Sequence, residues 1–198
     1  MFEGPFSYSI VKRAQEKGLV EMKIHNLRDW STDKYKSVDD HPYGGGAGMV
    51  MRIDIINSAL KKLRTDKSKV ILMDAGGEKF TQKKAQALSL EEHLIIICGH
   101  YEGVDHRVHE HLVDEIISVG DYVLSGGELP AMTIADSLTR LIPGALGNNL
   151  SVIEESHTDG GAEYPQYTRP EEFNDWKVPE ILLSGDHKKI DAWRKSKR

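Results

Sequence analysis

The chemistry open to this chain lies in three sets of residues. Glu154, Glu155, Ser156, His157 and Asp159 crowd carboxylates and a histidine into one polar stretch. A carboxylate within hydrogen-bond reach of an acidic N–H can act as general base, although on an exposed loop such a group is more often simply solvated. A second set, His100, His106, His109 and His111, invites a metal. His106 and His109 can share a helix face, but His111 points away and no H-E-x-x-H is present, so solvated or hydrogen-bonded histidines are expected and no metal site. The third set is glycine. Gly44 to Gly48 lacks the Lys-Ser/Thr of a phosphate loop, and Met49 stands where a dinucleotide fingerprint needs its last Gly; it reads as a flexible turn sooner than a ligand loop. Ser125 is no nucleophile elbow, because Val123 takes the place of the first Gly of G-x-S-x-G.

One arrangement recurs. Leu72-Met73-Asp74-Ala75-Gly76-Gly77, Cys98-Gly99-His100-Tyr101-Glu102-Gly103, and Val119-Gly120 through Leu124-Ser125-Gly126-Gly127-Glu128-Leu129-Pro130 each run from an apolar stretch into a glycine-bearing loop. In a parallel sheet all three loops would fall at the strand carboxyl ends, where they either outline one ligand pocket or serve as ordinary strand-to-helix turns.

The elements that must carry these loops follow from hydrophobic spacing. Val70–Met73 and Leu94–Cys98 are short continuous apolar runs, as in strands buried on both faces, and Gln82–Leu90 supplies a helix between them. Ile53, Ile56, Leu60 and Leu63 recur at three and four, predicting a helix after a long polar loop over 31–48. Tyr8–Lys17 reads as a helix stopped by Gly18, Leu19–Ile24 as a strand, Val104–Leu112 as a His-rich helix and Glu115–Val119 as another strand. A helix starts near Leu129, with Pro130 in its first turn, and stops at Pro143-Gly144. Residues 147–170 have almost no apolar periodicity, and a small helical piece closes the chain around Ile190–Arg194. The organisation expected is an α/β domain over 1–147, a linker over 148–170 and the start of a helical domain over 171–198.

Composition sets the limits. At 198 residues, 39% hydrophobic and 29% charged, the chain is globular and long enough for a sizeable core. Its longest apolar run, Leu94–Cys98, is far too short to span a bilayer, and the start carries no export signal. One cysteine, Cys98, rules out an internal disulfide and a Cys-based zinc site. A cytoplasmic protein with no membrane partner is expected. Net charge is −5, yet Lys188–Arg198 holds six basic residues against one acid, so any nucleic acid is met by local rather than bulk positive charge.

Five blocks, HPYGGGAGM (41–49), GHYEGVD (99–105), ISVGDYVLSGGELPAM (117–132), YPQYTRP (164–170) and VPEILLSGDHKKIDAWR (178–194), closely resemble the bacterial tRNA (guanine-N(1))-methyltransferases of the TrmD type. The resemblance implies a SPOUT α/β fold, mainly parallel sheet flanked by helices, with a deep C-terminal trefoil knot. It implies S-adenosyl-L-methionine as methyl donor, leaves magnesium open, and gives tRNA as substrate, methylated on the guanosine just 3′ of the anticodon. It further implies a homodimer whose active sites are shared between subunits. By position, the cofactor-binding residues would be Leu72, Gly99, Tyr101, Glu102, Ser118, Val119, Tyr122, Leu124, Gly126 and Gly127. The base would be Glu155, where the family has Asp, and Arg140 would match the arginine that stabilises charge on guanine O6.

The chain departs from the pattern at Glu155, at Gly161-Ala162 for a Leu-Leu pair, at His106 for Glu, and at Ala75-Gly76 for Pro-Gln. The family also carries a further strand before residue 1 and several tens of residues of helical domain after Arg198, so the chain corresponds to a fragment or a short form. Two other functions fit the same features: a catalytically weak module that holds cofactor or RNA, and a ribose 2′-O-methyltransferase of the same superfamily.

Overall fold

The computed structural model describes residues 1–147 and 163–197, and the chain divides into two compact units, Met1–Gly147 and Asn148–Arg198. Glu154, Glu155, the Gly161-Ala162 pair and most of the expected linker lie outside the described residues.

The first unit opens with α1 (Glu3–Phe6) and α2 (Ser9–Glu16). Val11 and Ala14 are the buried residues of α2, one turn apart. Gly18 ends it at φ 68°, with the Leu19 N–H returning to the Ala14 carbonyl at 2.9 Å, a left-handed stop that costs a glycine little. A 3-10 turn follows at Leu27–Trp30. The expected loop over 31–48 is not wholly free: β1 (Asp39–Asp40) pairs antiparallel with β2 (Val50–Met51) and anchors both sides of the glycine run.

Then α3 (Ile53–Leu63), β3 (Ser68–Lys79), α4 (Gln82–Leu88), β4 (His93–Cys98), α5 (His106–His111), β5 (Glu115–Ser118) and α6 (Glu128–Leu141) alternate as the apolar spacing requires. The three longer strands form a parallel sheet in the order β4-β3-β5. Val70, Ile71, Leu72 and Met73 of the central strand are all buried, which explains why this stretch reads as a continuous apolar run. Val70 and Leu72 face one cluster with Ile56 and Leu60 of α3 and Val108 of α5. Ile71 and Met73 face another with Ala85 and Leu88 of α4 and Ala131, Ile134 and Leu138 of α6. Helices therefore cover both faces. Each fully buried aliphatic side chain contributes roughly 1.5–3 kcal/mol.

Two expectations are corrected. Residues 19–24 form no strand; this stretch and β4 residues Leu94, Ile96 and Cys98 line an apolar groove instead, so its alternation reflects partial burial without a ladder partner. Nor is Asp74–Gly77 a simple loop after a finished strand. β3 pairs Met73 with Ile117, bulges, and then pairs Glu78 with the same Ile117. A Cβ on Gly77 would lie 2.6 Å from the Ile116 carbonyl carbon, so only glycine lets β3 pass β5 there.

The described part of the second unit is not purely helical as expected. A two-strand hairpin, β6 (Glu172–Phe173) and β7 (Trp176–Lys177), turns through Asn174 and Asp175 at φ 50° and 65°, a pair suited to left-handed hairpin turns. Two helices follow, α7 (Glu180–Leu183) and α8 (His187–Ser196), the latter capped by Asp186 accepting from the Lys189 N–H at 3.2 Å.

Candidate active site

The β3 bulge and the carboxyl ends of β4 and β5 open into one cavity. From the β4 loop come Gly99, Tyr101 and Glu102; from β5 and its loop come Ser118, Val119, Tyr122, Leu124, Gly126 and Gly127. Nine of the ten residues singled out for cofactor binding thus line a single space. Leu72 does not: it is fully buried in the core, and the strand's two-residue period sends its neighbour Met73 to the cavity instead.

Glycines hold the walls together. The Gly127 N–H donates to the Gly99 carbonyl at 2.8 Å, and a Cβ on Gly127 would lie 2.6 Å from the Cys98 Cα. On Gly126, a Cβ would meet Glu128 Oε2 and His100 Cε1, each at 2.6 Å. The β5 loop can therefore pack against the β4 end only with glycine at 127, where the close atoms are backbone, whereas at 126 they are side-chain tips. Gly48, at φ 79°, lies where a Cβ would overlap the Glu102 side chain. The glycine run over 44–48 therefore leads up to Glu102, and Met49 continues the contact by accepting from the Glu102 N–H at 3.0 Å.

Polar groups fix the side chains. His100 Nε2 lies 2.5 Å from Glu128 Oε1 across the β4–α6 junction. Tyr101 takes φ 62°, a conformation costly for a side-chain-bearing residue, and its hydroxyl accepts from Arg28 at 3.4 Å. Partial burial, with a hydrogen bond to Asp39 behind it, raises the Tyr101 phenol above its ordinary value. Ser118 Oγ donates to the Gly120 carbonyl at 2.9 Å, closing the turn that starts the β5 loop. Burial, reinforced by the Glu128 charge, pushes the Cys98 thiol up to about 12. This cysteine is neutral and no nucleophile.

Met73, Asp74 and His100, which stand in the three glycine-bearing loops but outside the ten residues that the resemblance implies, also line the cavity. His100 belongs both to the β4 loop and to the set of four histidines. Those do not converge: among the described residues no three His, Cys, Asp or Glu side chains gather as a metal site. His106 and His109 do share a face of α5, their rings 5.1 Å apart. Arg140, near the end of α6, is not among the cavity-lining residues, and Glu155 lies outside the described residues.

The donor set suits a nucleoside bearing a positive charge. Val119, Leu124 and Pro130 offer apolar contact, the glycine loops bring backbone polar groups close, and Asp74 and Glu102 are the carboxylates. An α/β domain with a cavity beside its parallel strands, closed by glycine loops, is an architecture suited to binding a nucleotide-like group. The family model described as tRNA (Guanine-1)-methyltransferase TrmD matches residues 1–198. Proteins named tRNA (guanine-N(1)-)-methyltransferase from Bacillus cereus (strain AH820), Bacillus anthracis (strain CDC 684 / NRRL 3495) and Bacillus thuringiensis subsp. konkukian (strain 97-27) are each 55% identical over 197 residues, 98% of this chain and 81% of theirs. The chain belongs to the TrmD family of tRNA (guanine-N(1)-)-methyltransferases.

Proposed function

We propose that this chain transfers a methyl group from S-adenosyl-L-methionine to ring nitrogen 1 of the guanosine just 3′ of a tRNA anticodon. The observation that carries this reading, beside family membership, is the convergence of the β3 bulge and the β4 and β5 ends on one cavity that Gly126 and Gly127 help to line. Bound there, S-adenosyl-L-methionine supplies a methyl group activated by its sulfonium charge.

This chain's residues do the rest. The glycine loops and Ser118 would hold the adenosyl part by backbone and hydroxyl contacts, with Tyr101 and Tyr122 lining the same cavity. Nitrogen 1 of neutral guanine carries a proton, which Glu155 removes as general base. Negative charge then grows on O6, where the Arg140 guanidinium offsets it. Holding the methyl in line with the nitrogen supplies the remaining advantage.

The family's trefoil knot is proposed for the passage of the β5 loop over the β4 end. A homodimer is proposed in which each chain lends Glu155 to its partner's cavity. No helix among the described residues is long and apolar enough to cross a membrane, in keeping with work on tRNA in the cytoplasm.

The test is methyl transfer to an unmodified tRNA transcript, with one arm carrying adenosine at the target position. Methylation of ring nitrogen 1 in the guanosine transcript alone supports the reading. Methylation of a ribose oxygen, or cofactor binding without any transfer, overturns it in favour of one of the two other functions.

A further inference from the structure

The cavity has a charge pattern that its general description leaves unexplained. No Lys or Arg side chain is among its described lining residues, whereas two carboxylates, Asp74 and Glu102, are. Asp74 sits in the β3 bulge rather than on a flexible turn. Its Oδ1 accepts from the Gly76 N–H at 2.8 Å, and its Oδ2 lies 3.2 Å from His109 Nε2 on α5.

His109 is mostly buried, with 15% of its side chain exposed, and its Nδ1 is buried with no hydrogen-bond partner among the described residues. A ring that leaves one nitrogen unpaired is costly to bury. What it gains is the contact to Asp74. With Nε2 as donor, the imidazole holds the carboxylate in place, and the Asp74 side chain keeps 32% of its surface exposed while lining the cavity.

We propose that Asp74 is a specificity-determining residue of this cavity, positioned by His109, and that its carboxylate makes the site favour the cationic methyl donor over the neutral thioether left after transfer; this rests on the assignment of the cavity to S-adenosyl-L-methionine. In the transfer, the sulfur–methyl bond breaks as the nitrogen–methyl bond forms. The bonding pair stays on sulfur, the sulfonium charge disappears, and the nitrogen proton leaves to the base. Donor and product then differ at the sulfur by one methyl and one positive charge. A fixed carboxylate in the same cavity attracts the first and not the second, without needing direct contact, because the interaction falls only as the inverse of distance. Donor thereby competes with product for the cavity on better terms than it would without the carboxylate.

The experiment is calorimetry on the full chain with three ligands: S-adenosyl-L-methionine, S-adenosyl-L-homocysteine, and an amine analogue that is positively charged where the donor has its sulfonium. Asp74→Asn should reduce the preference for both cationic ligands over the thioether by about tenfold at low salt, with thioether affinity within about twofold of wild type. His109→Leu should lose part of the preference, and His109→Gln, which keeps a donor at similar reach, should restore it. Unchanged thioether binding reports an intact cavity. If Asp74→Asn leaves the cation preference as it was, or weakens all three ligands alike, the specificity role is wrong while the cofactor assignment stands. If the wild-type chain binds none of the three, the cofactor assignment falls and this inference falls with it.

Discussion

Gly127 and Cys98 approach so closely that a single added carbon on the glycine would lie 2.6 Å from the cysteine Cα. Backbone would then have to move, since no flexible side-chain tip is there to yield. Gly127→Ala should therefore break the 2.8 Å hydrogen bond to Gly99 and lower stability by about 2 kcal/mol or more. Urea unfolding measures the loss, and calorimetry should show cofactor binding weakened with it.

Gly126→Trp should act differently, filling the cavity rather than wedging the backbone, because its neighbours are the side chains of Glu128 and His100. Such chains should bind no S-adenosyl-L-methionine. Glu155→Gln chains should bind it normally and lose methylation by about a hundredfold or more. If Glu154→Gln is instead the damaging change, the base is one residue earlier.

Mixing those two inactive variants checks the shared site. In a two-fold dimer, a mixed pair has one site with both defects and one with neither, so co-refolding should restore up to about a quarter of wild-type activity. Recovery should follow the mixed-dimer fraction. Mixed dimers without activity would place Glu155 in its own subunit's site.

Cys98 gives a pH dependence of known sign. Its thiol is held neutral to about 12 by burial and the Glu128 charge, whereas an unfolded cysteine ionises near about 8.5. Between those values the unfolded chain has released a proton that the folded chain retains, so stability falls as pH rises. Chemical unfolding at about pH 7 and about pH 10 should show this loss reduced in Cys98→Ala. Alkylation of native protein near neutral pH should be slow.

Glu115 gives the opposite slope. Burial alone would raise its carboxyl, but hydrogen bonds and charge from Lys69 and Lys84 outweigh it and hold the carboxyl below its ordinary value. Contacts of 2.6 Å and 2.8 Å tie β3, α4 and β5 together. Stability from this group is present above the ordinary carboxylate range and lost as pH falls through the folded value. Glu115→Gln should cost about 1 kcal/mol near neutral pH, because the group is only partly exposed and Lys69 and Lys84 keep their contacts to Glu91 and Glu78. The variant should also lose less stability than wild type between about pH 7 and about pH 3.

The parallel sheet was legible because Val70–Met73 and Leu94–Cys98 are apolar without interruption, as burial on both faces demands. The convergence of three loops was legible as one of two alternatives, since glycines after strands suit both pockets and plain turns. Leu19–Ile24 misled because alternation records which side chains are partly buried and carries no information about a hydrogen-bonding neighbour. Asp74 and His109 were illegible as a pair: 35 positions separate them, and only the β3 bulge and the α5 register bring them together. The roles of Arg140 and Glu155 came from resemblance, not from spacing.

The β3 bulge also bears on the thermodynamics of ligand arrival. Pairing with Ile117 on both sides of the interruption means that residues 74–77 are tethered at each end to the same neighbouring strand. A stretch so fastened cannot swing out as a flap, and its few accessible conformations are already spent in the folded chain. Little entropy is left to lose there when the cavity fills, so among the described walls the ordering that accompanies binding falls to the loops after β4 and β5, whose far ends lead into helices.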